Sequence, residues 1–330
     1  MNRLPILVHT WVPDDLRTRL DGRFDADYHD VFADGLLEPE PLKERFQDKA
    51  GVLLLGPYVG AEIFDACAGT LRVVANIAVG VDNIDVDAAT RNGVLVTNTP
   101  GVLDAPVADM SMAMVLAVGR RLAEGDRYVR AGRFRTYPFQ LLWSADIGGE
   151  TLGIIGLGRI GKRVAARAQS FGMKVCYHNR NRLPDDEAAA LDVEWRSLPD
   201  LLAEARYVVL LCPLTPATRH LIGAPELARM RDDGFLINMA RGPVVHEQAL
   251  VEGLQKGAIA GAALDVYEFE PKVDSALWEM ENVVLTPHIA SATRTTRLAM
   301  IDLAARNLEA ALAGGDVPTP VNPEVLKRSF

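Results

Sequence analysis

The sequence predicts an α/β protein of two doubly wound parallel sheets, from three observations. Short apolar runs of strand length alternate with helical patterns. That alternation lapses over residues 132–150 and restarts at Thr151. A glycine-rich turn, Gly156–Gly161, follows the first apolar run of the second series. Buried apolar strands separated by helices are βαβ units, and βαβ units build parallel sheets. With 330 residues, two domains are the natural expectation.

In the first series, strands are expected at 5–9 (PILVH), 51–55 (GVLLL), 73–77 (VVANI) and 94–96, ending at the turn signal Asn98-Thr99-Pro100-Gly101. A helix follows, with Asp104 as its N-cap and Pro106 in its first turn. Its run VADMSMAMVLAVGRRL is apolar nearly all round, which implies burial on every side, either against a second subunit or in the chain's own core. The second series comprises a strand TLGII, the turn GLGRIG, a helix to Phe171 and a strand MKVCYH. Further strands are expected at 207–212, 234–239, 258–265 and 282–287. A last helix spans about 294–313, and the tail from Gly314 reads as a surface strap.

Apolar residues make up 49% of the chain and charged residues 24%, the composition of a globular protein. The net charge of −9 argues against a nucleic-acid or anionic-membrane partner. Cys67, Cys176 and Cys212 are far apart in apolar runs, which suits buried thiols and a cytoplasmic location better than disulfides or a metal site. The N-terminal apolar stretch is broken too early by Pro13-Asp14-Asp15 to serve as a signal peptide.

Gly156-Leu157-Gly158-Arg159-Ile160-Gly161 fits G-x-G-x-x-G with a strand before it and a helix after it. Gly156 permits the tight turn, Gly158 lets backbone approach a pyrophosphate, and Gly161 lets the helix pack closely. An NAD site expects an acidic residue about 20 positions on. Here the strand ends in His178, Asn179, Arg180, Asn181 and Arg182, with no acid among them. A carboxylate repels a 2′-phosphate whereas Arg and Asn bind one, so this stretch favours NADP(H) over NAD(H).

Ligands of open parallel sheets bind beyond the carboxyl ends of the strands. Three residues there could serve hydride transfer to a 2-oxo acid: Arg241 after GFLINM, Glu270 after AALD, and His288 after the strand 282–287. An imidazolium can donate the proton, a carboxylate can favour that imidazolium, and a guanidinium can grip a carboxylate or carbonyl. The remaining histidines, His9, His29, His178, His220 and His246, show no comparable setting.

The ordered motifs VGVDNID, NTPGVLDAPVAD, GIIGLGRIG, CPLTPATRHLI, NMARGPVV, ALDVYEFEP and TPHIASAT resemble those of the D-isomer-specific 2-hydroxyacid dehydrogenases over residues 50–325. Within that family the chain is most similar to glyoxylate/hydroxypyruvate reductases. The resemblance implies a Rossmann cofactor domain, residues 101–288, inserted into a flavodoxin-like substrate domain made of residues 1–100 and 289–330. It implies that His288 is the proton donor, Glu270 its partner and Arg241 a substrate ligand, with backbone amides near Val79 and Gly80 holding the substrate carboxylate. The implied cofactor contacts are Gly158, Arg159, Ile160 and Gly161; Asn179, Arg180, Asn181 and Arg182; Cys212, Thr218, Met239, Ala240, Arg241 and Asp265. It further implies a homodimer through the cofactor domain. Leu211, Ala290 and the loop Gly56-Pro57-Tyr58 depart from the family pattern, and Trp143 is expected either to line a pocket or to pack the dimer. The expected activity is reduction of glyoxylate and hydroxypyruvate. Alternatives are reduction of bulkier acids such as hydroxyphenylpyruvate, 3-phosphoglycerate dehydrogenation, and a nucleotide-sensing corepressor scaffold.

Overall fold

The computed structural model describes residues 3–35 and 37–327; residues 1, 2, 36 and 328–330, which the expected domain spans take in, lie outside the described residues. The chain divides into two compact units. Residues up to Leu103 join those from Thr293 onward, and Asp104–Ala292 forms the other unit.

The first unit holds β1 (Leu4–His9), β2 (Phe24–Tyr28), β3 (Gly51–Leu54), β4 (Val73–Asn76) and β5 (Leu95–Thr97). All pairings are parallel, in the order β2-β1-β3-β4-β5. Leu7, Val52, Val74 and Val96 lie in one register row and share one buried cluster with Phe46, Ile63 and Phe64. The helix Arg294–Ala313 covers the opposite face, where a Cβ on Gly51 would come within 3.1 Å of Leu308 and Leu312. Burial on both faces is why these strands read as unbroken apolar runs.

Two strands escape the sequence reading. β2 is FDADY, a polar strand at the sheet edge that pairs through its backbone rather than by apolar alternation. β8 (Glu194–Trp195), in the second unit, is only two residues long. The tail also differs from the surface strap expected, because Val317, Asn322 and Val325 are buried. Asn322 Oδ1 accepts the Val96 N–H at 2.7 Å, and its Nδ2 donates to Val94 O and Thr90 Oγ1. Pro320 bridges Thr97 in antiparallel fashion. β5 is an edge strand whose unpaired backbone groups need partners, and the tail supplies them.

The second unit holds β6 (Thr151–Ile155), β7 (Lys174–His178), β8, β9 (Tyr207–Leu210), β10 (Phe235–Asn238), β11 (Gly261–Leu264) and β12 (Val283–Leu285). All are parallel, in the order β12-β11-β10-β9-β6-β7-β8. β11 is shorter than the run 258–265, whose first three residues form a bend. Ile154, Val209, Ile237 and Ala263 form a row on one face, and Val208, Leu236 and Ala262 form a row on the other. Each row belongs to its own buried cluster. The apolar helix runs Asp104–Gly119 and begins at Asp104 itself, one residue earlier than an N-cap there implies. Its buried residues, including Met112, Met114, Val115 and Val118, lie in the same cluster as Ile154, Val209, Ile237 and Ala263, so burial within its own unit accounts for them.

Candidate active site

Because every strand of the second sheet runs the same way, all of its strand-end loops emerge at one edge. The glycine turn lies at the end of β6. Gly156 has φ +103°, and a Cβ there would lie 2.5 Å from the Cys212 nitrogen. Gly161 allows no Cβ either, since one would sit 2.6 Å from Gly156 O, which brings the helix Arg159–Ser170 hard against the turn. At Gly158, by contrast, nothing lies within 4 Å of the Cβ position. Open space at the start of a twelve-residue helix, whose first N–H groups lack intrahelical acceptors, is a fitting seat for a pyrophosphate. Arg159, exposed beside it, pairs with the buried Asp104 at 3.4 Å.

At the end of β7 the side chains divide their tasks. The Asn179 amide closes onto the glycine turn, accepting the Leu157 N–H at 2.7 Å and donating to Leu157 O at 3.3 Å. Arg182 stacks over the Trp195 ring at 3.7 Å, a partner that no sequence spacing indicated. Arg180 and Asn181 are exposed, and Arg180 has no ion pair or hydrogen bond among the described residues. Two cations and two amides, with no carboxylate at the strand end, suit a phosphate better than a bare ribose.

Cys212, Thr218, Met239 and Ala240 serve the shape of the neighbouring loops. Burial pushes the Cys212 thiol up to about 11, so it is a packing residue and not a nucleophile at neutral pH. Thr218 Oγ1 donates to Pro213 O at 2.6 Å and accepts the Thr215 N–H at 2.8 Å, which fixes the turn after β9. Met239 and Ala240 are buried. The Asn238 side chain accepts the Ala240 N–H and donates to Arg241 O, setting the backbone from which Arg241 projects.

The structure brings Arg241, Glu270 and His288 together. His288 Nδ1 lies 2.9 Å from Glu270 Oε2, and Glu270 Oε1 accepts the Tyr267 N–H at 2.9 Å. With Nδ1 committed to a carboxylate, Nε2 is the ring nitrogen turned to a ligand. Burial disfavours a charged Glu270. The hydrogen bond and charge of His288, the Tyr267 N–H and the Arg241 guanidinium outweigh it, and hold the carboxyl below the usual glutamate range. His288 itself stands at φ +51°, a left-handed conformation uncommon outside glycine. Asp265 holds that turn: Oδ1 accepts Thr286 Oγ1–H at 2.6 Å and the Ile289 N–H at 2.8 Å, and Oδ2 accepts the Ala290 N–H at 2.9 Å.

Val79 and Gly80 belong to the first unit, just beyond β4. Their carbonyls are held by the Asn98 and Asn76 side chains at 2.8 and 2.9 Å, and neither N–H has an acceptor among the described residues. Among the described residues no cluster of His, Cys, Asp and Glu is arranged to hold a metal ion, and no helix is long and apolar enough to cross a membrane. Trp143 is largely exposed, meets Phe139 edge-on at 6.3 Å, and lines a cavity with Glu124, Arg206 and Phe235.

Residues 112–290 match the family model for the NAD-binding domain of D-isomer-specific 2-hydroxyacid dehydrogenases. The glyoxylate reductase of Thermococcus kodakarensis is 47% identical over 293 residues, spanning 87% of this chain and 87% of that protein. That of Thermococcus onnurineus is 44% identical over 330 residues, spanning 97% and 96%. Among solved structures, the NADPH-dependent glyoxylate/hydroxypyruvate reductase of Sinorhizobium meliloti, in complex with NADP and malonate, aligns with a TM-score of 0.83 at 34% identity, covering 97% of each chain.

The depressed Glu270 has a consequence for acid stability. Its contribution is fully present above the unfolded-state value of about 4.3 and is lost as the pH falls through the lower folded-state value. Glu270→Gln is therefore expected to flatten the fall in unfolding free energy below about pH 4.3. Denaturant titrations of both proteins from pH 6 to 3 check this, and parallel curves would exclude it.

Proposed function

The chain belongs to the D-isomer-specific 2-hydroxyacid dehydrogenases and is an NAD(P)-dependent oxidoreductase, and from that premise we propose that it reduces glyoxylate and hydroxypyruvate with NADPH as the preferred cofactor. The observation that carries the reading is the 2.9 Å His288–Glu270 pair, with the Arg241 charge acting on the same carboxylate. Glyoxylate reductases at 44–47% identity support the substrate class.

A nicotinamide cofactor held at these strand ends would supply a hydride to the carbonyl carbon. As negative charge gathers on the carbonyl oxygen, His288 donates its Nε2 proton there, so the 2-oxo acid becomes a 2-hydroxy acid. Glu270 orients the ring through Nδ1. Arg241 grips the substrate's carboxylate or carbonyl. Gly158, Arg159, Ile160 and Gly161 would hold the pyrophosphate, while Arg180, Asn181 and Arg182 would take the 2′-phosphate. Met239, Ala240 and Cys212, buried and apolar, would pack on the nicotinamide side.

Exposed apolar side chains gather on the helix Leu122–Arg130 and the arm after it, with Tyr137 86% and Phe139 83% exposed. A second copy covering this arm gives the homodimer through the cofactor domain. Three buried free cysteines support a reducing, cytoplasmic setting.

Three experiments test this reading. Oxidation of NADPH at 340 nm with glyoxylate or hydroxypyruvate is expected, and His288→Ala should cost roughly 10²–10⁴-fold in turnover while NADPH still binds. No turnover by the wild-type chain, or full activity of the variant, would sink the assignment. Arg180→Ala with Arg182→Ala should raise the KM for NADPH roughly tenfold or more and leave that for NADH nearly unchanged; equal effects on both would show that these arginines do not read the phosphate. Light scattering should give the mass of two chains, falling toward one in Tyr137→Asp with Phe139→Asp; a monomeric wild type refutes the dimer.

A further inference from the structure

Three loops at the carboxyl edge of the second sheet meet in a cluster that the reaction above does not use. Glu247 begins the helix Glu247–Gln255, and Glu268 lies between Tyr267 and Glu270. Each carboxylate is buried and accepts the other residue's backbone N–H. Glu268 Oε2 takes the Glu247 N–H at 2.9 Å, and Glu247 Oε2 takes the Glu268 N–H at 3.0 Å. Glu247 Oε1 also accepts the Asp274 N–H at 3.3 Å. The other Glu268 oxygen lies 2.5 Å from His220 Nε2. His220 comes from the loop after β9, stands at φ +53°, and donates its own N–H to Pro243 O at 2.7 Å. The His246 ring lies 4.7 Å from that of His220 and caps its own helix by accepting the Ala249 N–H on Nδ1.

The cluster brackets a contact with no slack. A Cβ on Gly242 would lie 1.7 Å from Tyr267 O, so the loop after β10 and the loop after β11 touch backbone to backbone. Arg241 precedes that contact by one residue. Glu270 follows it by three and accepts the Tyr267 N–H. Two carboxylates buried together stabilise a fold no better than apolar residues of the same volume, and often less well. What they add is directional bonds between loops that would otherwise slide.

We propose that Glu268, locked by Glu247 and His220, is a positioning residue that sets the separation between Arg241 and the Glu270–His288 pair. The proposal rests on the reduction assigned above. It predicts an effect on turnover and not on the cofactor's phosphate end, which is built on β6 and β7. A displacement of about 1 Å between reacting groups costs roughly 100-fold in rate.

The test uses the full chain with Glu268→Ala, Glu268→Gln and His220→Ala, measuring kcat and KM with glyoxylate and NADPH, the melting temperature, and the His288 ring signals by NMR. In Glu268→Ala, kcat should fall roughly 100-fold with the KM for NADPH nearly unchanged. Glu268→Gln should recover most of that loss, because its amide still offers an oxygen to the Glu247 N–H and a donor to His220. The proposal is overturned if kcat holds while the melting temperature drops, or if kcat and NADPH affinity fall together in both Glu268 variants. Where Glu268→Ala does not fold, an undiminished kcat in His220→Ala overturns it. A wild-type chain inactive on every 2-oxo acid refutes the reaction instead. The His288 ring signals then decide: in a folded Glu268 or His220 variant they move if the cluster sets the pair, and stay fixed if it does not.

Discussion

The Asp265 carboxylate is 1% exposed at the end of an apolar strand, so the donors that compensate its burial must come from the protein. They come from one short turn. Thr286, Ile289 and Ala290 all donate to it, and all flank His288. The Asp265 backbone contributes as well, since its carbonyl accepts the His288 N–H at 2.9 Å. Meeting one buried group's demand therefore fixes a left-handed histidine that the chain would not adopt unaided. Glu270 then finds Nδ1 at hydrogen-bond distance, with the opposite ring nitrogen presented outward.

Sheet direction makes this local constraint useful. Seven parallel strands deliver the glycine turn, Arg241, Asp265 and His288 to one edge, although 132 residues of chain separate the first from the last. The strands themselves are held by apolar rows on both faces. Precision at the edge comes from side chains that bond to neighbouring backbone, as Asn238, Asn179, Thr218 and Glu268 do. Rigid strands with loops cross-tied by polar side chains keep Arg241, Glu270 and His288 in place without large conformational freedom.

The cofactor end works differently. Asn179 stands where an acid would be, and its amide both accepts from and donates to Leu157, which a carboxylate could not do. The cations there are left toward solvent, with Arg182 oriented by stacking on Trp195 and Arg180 exposed. A planar ring beneath a guanidinium limits its freedom before any ligand arrives, so less ordering remains to be done on binding.

Much of this was legible in the sequence. Apolar runs placed ten of the twelve strands among the described residues because burial on both faces leaves no polar interruption, and the glycine spacing located the turn because only glycine survives a backbone approach of 2.5 Å. Arg241, Glu270 and His288 were legible as strand-end residues within recognisable motifs. The rest depends on contacts between distant parts of the chain. β2 and β8 form by backbone pairing at sheet edges, where side-chain periodicity carries little signal. The tail is anchored because Asn322 answers groups on β5 some 230 residues earlier, and His220 meets Glu268 across 48 residues. By itself, then, the sequence determined which segments are buried and which residue types could do chemistry, since hydrophobic periodicity and turn sterics are local. Only the tertiary structure decided which polar groups satisfy one another, because a buried donor takes whichever acceptor folding brings within about 3 Å.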